Sequence, residues 1–136
     1  MRDGWLVKFD LAGVLRSDLQ LALRRMVIER ERGELPAFRR IVIETSGLAD
    51  PSPILQTFAT DRALGEVFDV EAVVTVVDAV TGLDTLGWSS EARKQAILAD
   101  RLVITKTDIA GESAADALGA RLRALNPGAE ILQAVN

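Results

Sequence analysis

The chain has 136 residues, 49% apolar and 26% charged, with a formal net charge of −4 at pH 7. These values fit a single globular domain over residues 1–136, and the acidic balance argues against a nucleic-acid or anionic-lipid surface, which needs clustered Lys and Arg. Cys and His are absent, so disulfides are excluded and no transition-metal site is expected. No run is apolar enough to span a membrane and no signal-peptide pattern is present, which predicts a cytoplasmic location.

The side-chain pattern of the first half of the chain predicts both strands and helices. Residues 5–11 are a candidate front strand. Residues 15–33 are predicted to be a helix, with a Ser17/Gln20 capping box and a glycine stop. Residues 39–45 contain the run Ile-Val-Ile of a buried strand. Ser52 and Pro53 are then predicted to start a helix as N-cap and first helical residue, with helical segments over 53–59 and 61–66.

The second half alternates apolar strands with amphipathic helices. The predicted elements are a strand over 72–78, a loop containing Gly82 and Gly87, a helix over 90–99, a strand over 101–105, a helix over 113–125 with a Ser113/Asp116 box, and a strand over 129–133. This alternation predicts βα crossovers. The expected fold class is therefore α/β, with a mostly parallel, doubly wound sheet between two helical layers.

Polar residues follow the predicted strands at the point where each strand ends. Glu44 and Thr45 follow one strand, Asp78 the next, and the segment TKTD, Thr105 to Asp108, the third. In open parallel sheets, ligands bind beyond the carboxyl ends of the strands. The sequence therefore predicts a ligand site formed by these loops at one sheet edge.

The segment TKTD has the spacing of a guanine-recognition motif. The Asp108 carboxylate can accept parallel hydrogen bonds from the N1–H and the exocyclic amine of guanine, a donor pair that adenine lacks. Lys106 can lay its aliphatic stem along the base plane, and the Thr105 hydroxyl can tie the loop to its neighbours. A tetrapeptide of this kind also occurs in ordinary solvated loops, so its position after a parallel strand is what favours the nucleotide interpretation.

The segment ETSG, which begins at Glu44, fits the phosphate end of a nucleotide. A carboxylate at a strand end can hold Mg²⁺, and the amide of Gly47 can approach a γ-phosphate closely. The structural alternative is that Glu44 caps a helix or pairs with an arginine while Gly47 only makes a turn.

Together, "IVIETSGLADPSPILQTF", "VVTVVDAVTGLDTL", "KQAILADRLVITKTD" and "LNPGAEIL" resemble the CobW family of P-loop GTPases, which includes the hydrogenase and urease metallochaperones of the HypB/UreG type. The resemblance implies a partial G domain. It assigns Glu44 and Gly47 to the catalytic Mg²⁺/γ-phosphate motif, and Thr105, Lys106 and Asp108 to guanine binding. It also implies GTP or GDP with Mg²⁺ as cofactors, a role in metal delivery or cobalamin synthesis, and a metalloprotein client or a second copy as partner.

The chain departs from the family pattern at its front, over residues 1–14. The family begins with G-x-x-x-x-G-K-[ST], whose amides, lysine and hydroxyl cradle the phosphates. Here the lysines are Lys8, Lys94 and Lys106, and none follows a glycine. The C-x-C-C metal motif that precedes the first helix in the family also has no counterpart. We therefore expect weak nucleotide binding and negligible hydrolysis by this chain alone.

Two other functions remain open from the sequence. The chain could be a non-catalytic interaction module that keeps the α/β scaffold and covers an exposed sheet edge with a protein partner. It could also be an unrelated doubly wound domain that binds a small molecule, which would leave both motifs to coincidence.

Overall fold

A computed structural model of the protein describes residues 4–8, 16–45, 47 and 49–134. The chain divides into two compact units, unit 1 (Met1–Asp69) and unit 2 (Val70–Asn136). Each unit has its own parallel sheet, and each is described by itself below. Within the described residues, no helix is long and apolar enough to cross a membrane.

In its described residues, unit 1 has a pair of parallel strands and three helices. Its elements are β1 (Gly4–Lys8), α1 (Arg16–Glu31), β2 (Arg40–Glu44), α2 (Ser52–Thr60) and α3 (Arg62–Gly65). In the register of β1 and β2, Gly4 lies opposite Arg40 and Lys8 opposite Glu44. Gly33 ends the α1 segment with a φ of 73°, a backbone conformation that glycine adopts without a Cβ clash.

The core of unit 1 forms where α1 and α3 meet the inner face of β2. Its buried residues include Leu19, Leu23 and Leu64. Ile41 and Ile43, which alternate with exposed positions along β2, pack against them together with Ile54, Phe58 and Phe68. The alternation places Val42 on the other face of the strand, where it is 55% exposed.

Asp61 joins the helices of unit 1 through polar contacts. Its carboxylate accepts from Gln20 Nε2 at 3.0 Å, from Arg24 Nη2 at 2.7 Å and from the Leu64 amide at 3.2 Å, so it also caps α3. The hydrogen bond from Arg24 holds the pKa of the Asp61 carboxyl below its usual value. A nearly buried carboxylate is thus fully supplied with donors.

Unit 2 contains a three-stranded parallel sheet in the order β3-β4-β5. Its elements are β3 (Val74–Asp78), α4 (Gly82–Trp88), α5 (Ser90–Leu98), β4 (Arg101–Thr105), α6 (Thr107–Ala110), α7 (Glu112–Leu125) and β5 (Glu130–Gln133). Each crossover between neighbouring strands contains a helix, as parallel connections require.

Helices of unit 2 cover one face of this sheet. Its buried core includes Leu86 from α4, Ala96 from α5, Leu102 and Ile104 from β4, and Leu122 from α7. The other face carries Val74, Val76 and Leu132, which are 53%, 64% and 41% exposed. Because successive strand residues point to opposite faces, the same strands are buried on one side and open on the other.

The structure confirms the α/β class, the parallel strands and most of the predicted elements. The strand predicted over 101–105 has the observed bounds, and the front strand is observed as β1. The Ser17 side chain, half of the predicted capping box, lies outside the described part of the chain. The Gln20 amide donates to Asp61.

The predicted loop containing Gly82 and Gly87 is wrong, because this segment is helix α4. Gly82 is there for close packing: a Cβ at this position would lie 2.8 Å from Val77 Cγ1 and 3.2 Å from Leu118 Cδ2. Glycine is a common loop signal, whereas here it lets the start of α4 approach the core. Helix α6, a single turn, was not predicted at all.

Two predicted helix caps are also wrong. Helix α2 begins at Ser52 itself, and Asp50 Oδ1 accepts from the Ser52 amide at 2.9 Å, so Ser52 is not the N-cap. Helix α7 begins at Glu112 after Gly111, which places Ser113 inside the helix. In both cases the predicted cap residue lies inside the helix, and the N-cap position is taken by the residue before the helix, Pro51 for α2 and Gly111 for α7.

Candidate functional site

The TKTD loop of unit 2 leaves β4 through a sharp backbone reversal. Thr105 is the last residue of the strand, Lys106 has φ 57° and ψ 31°, and Thr107 begins α6. Among the described residues, Lys106 is the one non-glycine with positive φ. A side chain in this left-handed region costs about 1 kcal/mol or more. Such local strain is typical of functional loops, and it marks this loop as a candidate site.

Lys106 forms an ion pair with Asp78, the last residue of the neighbouring strand β3. Lys106 Nζ donates to Asp78 Oδ2 at 2.5 Å, and the two side chains are 54% and 26% exposed. The other oxygen, Asp78 Oδ1, accepts from the amides of Val80 at 2.6 Å and Thr81 at 3.3 Å. The hydrogen bond from Lys106 is the main reason that the pKa of the Asp78 carboxyl is below its usual value.

The two strand ends are held level by backbone pairing. Asp78 lies opposite Thr105 in the β3–β4 register, and the Ala79 amide donates to the Thr105 carbonyl at 2.9 Å. The parallel pairing therefore extends one hydrogen bond beyond the strands. Asp78, Thr105 and Lys106 come together at the carboxyl edge of the sheet, which is where ligands bind in this class of fold.

Asp108 lies in the first turn of α6, two residues beyond Lys106. The carbonyl of Lys106 accepts from the amides of Ile109 at 3.2 Å and Ala110 at 3.0 Å, which closes that turn. The Asp108 side chain is exposed and makes no hydrogen bond or ion pair within the part of the chain that the structure describes. Its carboxylate is thus available for an external donor pair.

Glu44 and Gly47 lie in unit 1, at the exit of β2. Glu44 is the last residue of that strand and is exposed. Gly47 has φ 31°, a positive value that a residue with a side chain rarely adopts. The predicted proximity of Glu44 to the TKTD loop would be a contact between the two units, and it stays a prediction.

The described residues contain no group of three or more His, Cys, Asp or Glu side chains that could hold a metal ion. Glu44 with phosphate oxygens remains the predicted Mg²⁺ site. Carboxylates are hard ligands that suit Mg²⁺ better than zinc.

Asp78 lies at the exit of a predicted strand, and the sequence pattern alone assigns it no role. The available signal was positional, because Asp78 ends one parallel strand and Lys106 directly follows the end of the next. The contact itself required the β3–β4 register, which sequence periodicity does not give.

The fold and the loop at the end of β4 define an α/β domain of the nucleotide-binding class. Residues 12–133 match the family "CobW/HypB/UreG, nucleotide-binding domain". Because the match spans most of the chain, the chain belongs to this family.

Relatives with established names agree with this assignment. The chain is 36% identical over 115 residues to the zinc chaperone YjiA of Escherichia coli (strain K12), covering 85% of this chain and 35% of that protein. It is 34% identical over 107 residues to the zinc-regulated GTPase metalloprotein activator 1 of Schizosaccharomyces pombe, covering 78% of this chain and 25% of that protein. The chain thus spans about a third of the length of these relatives or less.

Solved structures show the same similarity. The crystal structure of Zn(II)-bound YjiA GTPase from E. coli superposes with a TM-score of 0.75 at 34% identity, over 83% of this chain and 35% of that chain. A Zn(II)-bound triple mutant of YjiA GTPase superposes with a TM-score of 0.79 at 33% identity, over 87% of this chain and 36% of that chain.

Proposed function

We propose that this chain binds guanine nucleotide through the loop from Thr105 to Asp108, as the base-recognition part of a CobW-type GTPase. The observation that carries the proposal is the exposed Asp108 carboxylate, without a partner among the described residues, two positions after a left-handed Lys106. An acceptor at this position can meet the N1–H and the 2-amine of guanine together.

The selectivity of this loop should come from Asp108. Adenine would leave the carboxylate without its donor pair, and an unmet charged acceptor is penalised more than a neutral one. Lys106 contributes differently, since its stem can lie against any purine plane. Selection of guanine is therefore assigned to Asp108, and stacking against the base is assigned to Lys106.

The phosphate side of the proposed site is weaker. Glu44 would hold Mg²⁺ and the Gly47 amide would approach the γ-phosphate, but the sequence has no G-x-x-x-x-G-K-[ST] loop to neutralise the phosphates. Affinity should thus depend mainly on the base. We expect GDP and GTP to bind with similar, weak affinity.

Calorimetric or NMR titration with GDP, GTP and ADP tests the base assignment. Wild type should prefer GDP over ADP, and Asp108→Ala should remove that preference, a loss of about 1–3 kcal/mol for a hydrogen bond to a charged group. Asp116→Ala is the matched control, because Asp116 is an exposed helical aspartate of the same unit, outside the loop. Equal affinity of the wild type for GDP and ADP would contradict the proposal.

A phosphate-release assay with GTP and Mg²⁺ tests the prediction on hydrolysis. Phosphoryl transfer depends on positioning and on charge neutralisation across the β- and γ-phosphates. We expect release no faster than in a protein-free control. Turnover that Glu44→Gln abolishes would show that another element replaces the missing loop.

The names of the relatives point to zinc delivery as the wider context. We propose that the chain is part of a cytoplasmic metallochaperone that acts on a metalloprotein client. We also propose that its own residues hold no transition metal. A role in cobalamin synthesis is a narrower version of the same proposal. Zinc that stays bound stoichiometrically through dialysis and a weak chelator would contradict the second statement, since only carboxylates are available here.

A non-catalytic interaction module is the second candidate function. The observation that favours it is the sheet face of unit 2 with Val74, Val76 and Leu132 about half exposed. Within the described residues β3 pairs only with β4, and an unpaired strand edge is able to accept a further strand. Equal GDP and ADP affinity together with a stable oligomer in size-exclusion chromatography would favour this function.

A further inference from the structure

We infer that Asp78 is a positioning residue of the guanine loop, which holds the Lys106 ammonium so that the lysine stem faces the base. The inference rests on the proposed function and deepens it. It gives a role to a strand-exit residue that lies outside both the ETSG and the TKTD segments.

The two oxygens of Asp78 have separate tasks. Oδ1 accepts from the Val80 and Thr81 amides and thereby fixes the turn after β3. Oδ2 accepts from Lys106 Nζ. Because the turn amides already hold the carboxylate in place, Oδ2 is a rigid acceptor for the flexible lysine side chain.

The backbone directs Lys106 toward this acceptor. Its left-handed conformation follows directly on Thr105, which lies opposite Asp78 in the register. The side chain is 54% exposed although its ammonium is paired. The exposed part can thus contact a base while the charge stays at the end of β3.

The role of the ion pair also determines whether removal of Asp78 should strengthen or weaken nucleotide binding. A lysine without Asp78 would be free to turn toward nucleotide phosphates, and this would strengthen binding through charge. If Asp78 serves positioning, its removal weakens binding instead, because the stem no longer lies in one orientation. The two possibilities predict opposite changes in affinity.

The test uses ¹⁵N-labelled chain titrated with GDP and with IDP, which lacks the 2-amine. Asp78→Asn keeps an oxygen for the turn amides and removes the charge at the lysine. It should weaken the binding of both nucleotides by about threefold, which is the scale expected for a partly exposed ion pair. The ratio of GDP affinity to IDP affinity should stay unchanged, because Asp108 carries the selectivity. Glu130→Gln is the control, since it breaks the exposed Arg101–Glu130 pair of the same sheet; it should change neither affinity.

A double-mutant cycle separates positioning from a general structural role. Lys106→Met keeps most of the apolar stem and removes the ammonium. If Asp78 acts through Lys106, Asp78→Asn adds no further loss in the Lys106→Met background. Additive losses of nucleotide affinity in the double mutant would overturn the inference. A nucleotide affinity of Asp78→Asn that equals or exceeds that of the wild type would also overturn it.

The outcomes also distinguish this inference from the proposed function. A wild-type chain without guanine preference overturns both. A wild-type preference for GDP over ADP combined with a neutral Asp78→Asn overturns the positioning role alone. Urea unfolding of each variant shows whether a change in affinity arises from loss of folded protein.

Discussion

Units 1 and 2 each end a parallel strand in a loop that is predicted to contact a nucleotide, and the residues that follow the two strand ends differ. In unit 2 the TKTD loop is held by the neighbouring strand exit, through the Asp78–Lys106 pair and the amide of Ala79. In unit 1, Glu44 ends β2 and is exposed, and a positive-φ glycine follows three residues later.

The difference shows which part of a nucleotide site a short segment can build. A base needs one directional acceptor and one flat contact, and in the proposed site the loop after one strand would supply both. A triphosphate needs several donors and cations at once, which the family draws from the loop that this sequence lacks. Recognition of the base is thus the more local of the two functions.

The largest expected effects come from the two cores. Leu102→Ala in unit 2 and Leu23→Ala in unit 1 each remove a fully buried side chain, and each should lower the free energy of unfolding by about 2–5 kcal/mol. Residue-resolved hydrogen exchange should show the loss of protection in the unit that carries the substitution. Leu132→Ala is the control, because Leu132 is 41% exposed, and it should lower the free energy of unfolding much less. Equal loss in both units from either core variant would show that they unfold together.

A smaller effect is expected at Asn126, which ties two helix ends of unit 2 together. Its Nδ2 lies 3.0 Å from the carbonyl oxygens of Ala96 and Ile97 and 2.8 Å from that of Ala99. Asn126→Ala leaves these terminal carbonyls of the α5 region without their donor and should cost about 1–3 kcal/mol of unfolding free energy, measured by urea denaturation. Gln133→Ala, exposed at the end of β5, serves as the control, and an equal loss there would contradict the capping role.

The pH dependence should separate Asp61 in unit 1 from Asp78 in unit 2. Both carboxyl pKa values are lowered in the folded state, chiefly by hydrogen bonds from Arg24 and Lys106. The stabilisation is therefore present above the usual carboxyl pKa and is lost as pH falls through the lowered value. We expect protonation of Asp61 to cause the larger loss of stability at acid pH, because its side chain is 6% exposed and that of Asp78 is 26% exposed.

Urea unfolding between about pH 7 and about pH 3 measures this difference. Asp61→Asn should flatten the pH profile more than Asp78→Asn does. A greater flattening by Asp78→Asn would show that the ion pair at the loop, and not the capping carboxylate of α3, dominates the acid response.

The smallest effect is expected at the exposed pair between β4 and β5. Arg101 Nε lies 3.1 Å from Glu130 Oε2, and both side chains are more than half exposed. Glu130→Gln should change the unfolding free energy by no more than about 0.5 kcal/mol, and added salt should reduce even that. A loss above about 1 kcal/mol would place this pair outside the ordinary range of surface ion pairs.

The sequence by itself determined the α/β class and the parallel strands, and it predicts guanine binding by the TKTD segment. Apolar runs such as residues 101–105 are short and bounded by polar residues, so their pattern alone predicts strands. The family resemblance likewise depended on local residue strings, which need no knowledge of contacts.

Tertiary structure decided what depended on contacts between distant residues. Gly82 begins helix α4, and Val77 and Leu118 leave no room for a Cβ there, a packing requirement that local propensity cannot reveal. The role inferred for Asp78 needed the β3–β4 register to bring its carboxylate to Lys106 across 28 residues of sequence. Strand pairing and close packing are non-local interactions, and a linear pattern of side chains does not encode which partners meet.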